Sequence, residues 1–112
     1  MEAKTMTEIE TNLNLKQVPM EWSGGHLQGY IDCDYKTLKK LFGQPSDSDG
    51  YKVDAEWTVK TPAGIASIYN YKDGKNYCGA SGTPKTKIRD WHIGGNDINV
   101  VAWIMAVVFQ HE

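Results

Sequence analysis

The chain has 112 residues, 40% hydrophobic and 23% charged, with a formal net charge of −2. That length sets a single domain with one modest core, whose marginal stability self-association would help. The charge excludes the basic excess on which non-specific nucleic-acid binding depends, and two cysteines, Cys33 and Cys78, exclude a disulfide framework or a four-cysteine zinc site.

The opening residues, MEAKTMTEIETN, hold no apolar stretch of the signal-peptide kind. The longest apolar run, Val100–Phe109, is too short to span a bilayer. The expectation is an intracellular protein with free thiols and no membrane partner. Residues 1–24 read as a loosely ordered arm with one short strand near Leu13–Val18, punctuated by Pro19 and by Gly24-Gly25. Residues 25–112 read as one α+β domain.

The domain opens with HLQGYIDC, residues 26–33, whose alternation predicts a strand. Leu27, Gly29, Ile31 and Cys33 fall on one side; His26, Gln28, Tyr30 and Asp32 fall on the other. Asp34 is placed to cap a helix over Tyr35–Phe42, ended by Gly43 and Pro45. After the polar loop SDSDG comes the clearest pattern, YKVDAEWTVK. Tyr51, Val53, Ala55, Trp57 and Val59 point one way, and Lys52, Asp54, Glu56, Thr58 and Lys60 point to a wet face. The turn TPAG returns the chain as a strand over Ile65–Tyr71, giving an antiparallel hairpin. Residues 72–86 hold three glycines and a proline and read as a long loop. A last strand is expected over Lys87–Ile93, broken by Gly94-Gly95. Asn96 or Asp97 then caps a helix to about Gln110. That helix is apolar nearly all round, which predicts either a central position or a homo-oligomer contact through it. The sum is a small antiparallel sheet of about four strands, in the order β-α-β-β-β-α, packed on an apolar C-terminal helix.

No P-loop, GxGxxG, GxSxG or HExxH is present, and no cofactor or metal is implied. His26, His92 and His111 have no metal-ligand spacing. Asp90 shares a strand face with His92 and could orient its imidazole. That pair is the basis of an enzymatic, phosphodiesterase-type alternative. A binding site has more to build on. Tyr69, Tyr71, Tyr77 and Trp91 offer stacking surfaces. Lys87 and Arg89 could meet phosphates, with Lys72, Lys75 and Lys85 nearby. Gly94, Gly95 and Asn96, between a strand and a helix, would let backbone N–H groups approach an anion. With His92, these residues have the composition of a site for a small nucleotide-like ligand.

The strings LFGQP, DGYKVDAEWTVKTPAGIASIYNYKDG, GTP and IRDWHIGG, between Leu41 and Gly95, resemble a widespread family of small, mostly uncharacterised bacteriophage proteins. The resemblance covers about residues 25–108. It implies a phage origin and expression in the cytoplasm of a bacterial host, and it transfers no functional residues. Small phage proteins without enzyme motifs often oppose host defence. The expectation is therefore an anti-defence protein that sequesters a nucleotide-type immune signal without catalysis. The alternative is an anti-CRISPR-like inhibitor that binds a host defence protein through the hairpin face of Lys52, Asp54, Glu56 and Thr58, or through the arm.

Overall fold

The computed structural model describes residues 25–46 and 52–110. The arm, its expected strand and most of the SDSDG loop lie outside the described residues. The elements are β1 (His26–Asp32), α1 (Tyr35–Phe42), β2 (Glu56–Thr61), β3 (Gly64–Tyr69), a short α2 (Lys75–Cys78), β4 (Asp90–Gly95) and α3 (Asn99–Gln110). The four strands form one antiparallel sheet in the order β1-β4-β3-β2. The α+β class and the β-α-β-β-β-α order stand, with α2 and two 3₁₀ turns added inside the long loop.

The core lies between one sheet face and the helices. Trp57, Val59, Ala66, Ile68, Trp91 and Ile93 contribute from the strands, Tyr35, Leu38 and Phe42 from α1, and Val100, Ile104, Val107 and Val108 from α3. At its centre the Trp57 and Trp91 rings meet edge to face with centroids 5.3 Å apart. Each buried indole must pair its N–H. Trp91 Nε1 donates to the Cys33 carbonyl at 2.8 Å, and Trp57 Nε1 donates to the Gly43 carbonyl at 2.7 Å. Cys33 precedes α1 and Gly43 ends it, so the two tryptophans hold both ends of one helix. Asp34 caps α1 as its sequence implies, accepting from the Thr37 N–H at 2.8 Å. Hydrogen bonding from the Thr37 side chain, and then from its backbone N–H, draws the Asp34 carboxyl below its ordinary value. Gly43 supplies the left-handed φ of 87° at the other end.

Four expectations are corrected. The strand expected from Tyr51 starts only at Glu56. Val53 and Ala55 are buried as alternation requires, yet the backbone N–H groups of Asp54 and Ala55 go to the Asn70 side-chain oxygen at 2.7 and 3.1 Å. An amide side chain stands in for a partner strand there. The strand expected over Lys87–Ile93 runs instead from Asp90 to Gly95, because Lys85–Lys87 forms a 3₁₀ turn. Gly94 and Gly95 do not break it; they pair with Leu27 and His26 on one side and with Ser67 and Ala66 on the other. A Cβ on Gly95 would lie 2.9 Å from Val100 Cγ2, so the glycine serves close packing of α3 on the sheet. Leu27 is not on the core face. A β-bulge between Leu27 and Gly29 inserts Gln28, whose amide donates to the Gly95 carbonyl, and turns Leu27 outward. Finally, Thr58 is buried and Asp54 is tied into hydrogen bonds, so the hairpin's second face is wet only in part, with Lys60 exposed and Lys52, Asp54 and Glu56 half-buried.

The long loop is ordered by the same Asn70. Its Nδ2 donates to Asp54 Oδ1 at 2.8 Å and to Asp73 Oδ1 at 3.0 Å, so all four bonds available to the buried amide are made. Asp54 also accepts from the Asn76 N–H, and Asp73 O accepts from the Thr83 N–H. Gly74 and Gly82 are buried where any Cβ would strike Asp54 or the Gly74 backbone. Asn70→Ala would leave the backbone donors of Asp54 and Ala55 without their acceptor, Asp73 Oδ1 without its donor and Asp54 with only the Asn76 N–H, and should lower stability by about 2–3 kcal/mol. A urea titration reads this as a lower midpoint with unchanged slope. Asn70→Asp should not restore it, since its second oxygen would face two carboxylates.

Candidate functional site

The register of the sheet places a ring on each of three adjacent strands. Tyr30 of β1, His92 of β4 and Tyr69 of β3 are direct cross-strand partners. Each sits beside a core residue: Tyr30 precedes Ile31, Tyr69 follows Ile68, and His92 follows Trp91. Because successive side chains point to opposite faces, burial of the second set drives the first onto the face away from the helices. The His92 ring lies 4.9 Å from Tyr30, 5.4 Å from Tyr69 and 5.6 Å from Tyr71 between centroids. Tyr30, at 61%, and Tyr71, at 40%, remain exposed.

The rings of Tyr30, Tyr71 and His92 open onto a cleft of about 470 Å³, lined also by Ile31, Asp32, Asp73 and Asp90. Its polar wall is acidic. Asp32 and Asp90 lie opposite each other in the β1–β4 ladder, an arrangement that costs free energy unless compensated. Arg89 supplies part of the compensation, its Nε donating to Asp32 Oδ1 at 2.9 Å. That partnership raises the Arg89 pKa further above its ordinary value. The cations stand to one side: Lys72 Nζ lies 5.2 Å from the Tyr71 centroid and 5.3 Å from that of Tyr77, and Lys52 Nζ lies 6.0 Å from Tyr71. Lys72 takes a left-handed φ of 59°, rare for a side-chain-bearing residue, at the point where the chain leaves Tyr71.

Burial lowers the His92 pKa from its ordinary value, against the opposing pull of Asp73 and Asp90. The imidazole is neutral at pH 7 and offers one donor and one acceptor. Burial also raises the Tyr69 phenol, helped by Glu56, so it stays protonated. Among the described residues, no three His, Cys, Asp or Glu side chains converge as metal ligands, and no helix is long and apolar enough to cross a membrane.

The structure divides the residues expected from sequence. Tyr71 and His92 line the cleft, and Tyr69 packs against His92 behind it. Tyr77 lies beyond, sharing Lys72 with Tyr71. Trp91 is fully buried in the core and is no stacking surface. Lys87 is exposed in the 3₁₀ turn, and Arg89 is engaged by Asp32. Gly94 and Gly95 are buried within the sheet, and the exposed Asn96 follows them. The start of α3 already has its anion, since Asp97 Oδ1 accepts from the Asn99 N–H at 2.8 Å. Tyr30, Asp32 and Asp73 were not anticipated. Tyr30 and Asp32 carried a signal, an outward aromatic and an outward acid on a strand whose neighbours are apolar. Comparison with protein-family models, curated proteins and solved structures returns no match.

The depressed His92 pKa sets a pH dependence. In the unfolded chain the imidazole titrates near its ordinary 6.5, in the folded chain lower. Between the two the unfolded state binds more protons, so stability falls as pH drops through 6.5 and levels off below the folded value. Thermal melting at about pH 7.5 and about pH 5.5 should show this decline, and His92→Gln should flatten it.

Proposed function

We propose that this is a phage-encoded binding protein that holds a small nucleotide-type ligand without transforming it, and so withdraws a host immune signal. The observation that carries the reading is the cleft of about 470 Å³ lined by the rings of Tyr30, Tyr71 and His92. Small-ligand sites are concave, largely apolar and aromatic, with a few placed polar groups. A nucleobase gains stacking energy on any aromatic face. The acidic wall argues that the base, not the phosphate, enters the cleft. Lys52 and Lys72, on the Tyr71 side, are the cations within reach of a phosphate outside it. This differs from a phosphate clamp at Lys87 and Arg89, which the Asp32 ion pair disfavours. Ile98 and Phe109, exposed before and near the end of α3, support the proposed subunit contact through that helix.

Titration calorimetry with a panel of mononucleotides and cyclic dinucleotides should give saturable binding. Tyr71→Ala and Tyr30→Ala should each weaken it by roughly 5- to 100-fold through lost stacking, with little loss of stability because both rings are exposed. Chromatography should recover the ligand chemically unchanged. A hydrolysed product that disappears in His92→Gln would instead favour the phosphodiesterase reading built on His92 and Asp90.

A further inference from the structure

The carboxylates of the cleft are not equivalent. Asp32 gives an oxygen to Arg89 at 2.9 Å, and Asp73 gives one to Asn70 at 3.0 Å. Asp90 is exposed, and among the described residues no hydrogen bond or ion pair engages its carboxylate. It stands two residues from His92 on the same strand face, so its oxygens border the rings on which a planar ligand would stack. An ionised carboxylate only accepts hydrogen bonds, through two oxygens that suit two parallel donors.

Resting on the reading that a nucleobase lies against Tyr30, Tyr71 and His92, we propose that the base is guanine, recognised by Asp90 through its adjacent N1–H and N2–H donors. Guanine is the common base whose pairing edge places two donors side by side. Adenine and cytosine each set one donor beside one acceptor, and uracil sets one donor between two acceptors. A carboxylate facing any of these three would meet a lone pair as well as a proton. The charge of the wall adds to the discrimination, because Asp90 lies opposite Asp32 and shares the cleft with Asp73, and a donor pair relieves that repulsion where an acceptor increases it.

The test is calorimetry of the whole chain with guanosine, inosine and adenosine 5′-monophosphates, on wild type and Asp90→Asn. Guanosine monophosphate should bind at least ~10-fold more tightly than the adenosine nucleotide, and the inosine nucleotide, lacking the N2 amine, roughly 10-fold more weakly than guanosine's. Asparagine presents one donor and one acceptor, which suits adenine. Asp90→Asn should therefore lose at least ~10-fold for guanosine monophosphate and bring the preference to parity or reverse it. Equal binding of the purines, unmoved by the substitution, overturns the guanine assignment and leaves the nucleotide reading standing. Absence of binding by any nucleotide to folded protein overturns both. Methylguanidine carries the same donor pair without a base; if it binds as tightly as guanosine monophosphate, the carboxylate is a guanidinium receptor and the base assignment fails.

Discussion

Two indole N–H bonds organise this small domain. Trp57 and Trp91 come from β2 and β4, strands that are not neighbours in the sheet, and their rings meet beneath β3. Each carries a donor that burial would leave unpaired at a cost of about 1–3 kcal/mol. Both donors find carbonyls at the ends of α1, and that fixes where the helix lies and along which direction it runs. The same contacts determine the opposite face. With Trp91 committed to the core, His92 must project away from it, and the antiparallel register then sets Tyr30 and Tyr69 on either side. The cleft is thus a consequence of core packing carried through one peptide unit.

Much of the fold was legible in the sequence where a local rule was decisive. Asp34 and Gly43 bound α1 because capping and left-handed φ are properties of a few residues. The Thr61–Gly64 turn formed because Pro62 and Gly64 suit it, and Gly64 takes φ 118°. What was not legible depended on partners distant in sequence. Nothing near Asp54 and Ala55 announces that their N–H groups will go to Asn70, and without that bond the alternating pattern reads as a longer strand. The bulge at Gln28 likewise depends on a carbonyl 67 residues away. In the site, Tyr71 and His92 could be chosen for their chemistry, but Trp91 could not be set aside until the face was known. Gly94-Gly95 signalled close approach of something to the backbone; that something is Val100 and Ser67 of the same chain rather than a ligand.

The acidic wall of the cleft runs against the stability of the isolated domain. Placing Asp32 opposite Asp90, with Asp73 on the same cleft, stores repulsion that Arg89 only partly offsets, because that ion pair is exposed and worth little. A sheet face selected for stability alone would more easily carry a lysine in one of these positions. Neutral His92, kept below its ordinary pKa by burial despite two nearby carboxylates, does not discharge the wall either. Local conflicts of this kind concentrate at sites where a binding partner resolves them.

Asn70 ties this conflict back to the fold. It bonds the segment leading into β2, and its neighbour Tyr71 and its partner Asp73 form one side of the cleft. Whatever fixes the positions of Tyr71 and Asp73 also favours the arrangement in which the Asn70 amide is fully bonded. A ligand seated between them, as proposed, would bind the folded form and stabilise it by an amount that grows with the logarithm of its concentration above Kd. In a domain whose core is limited by its length, that linkage would be a sizeable fraction of total stability. The long loop of residues 72–86 would then be the segment through which occupancy of the cleft and integrity of the sheet are coupled.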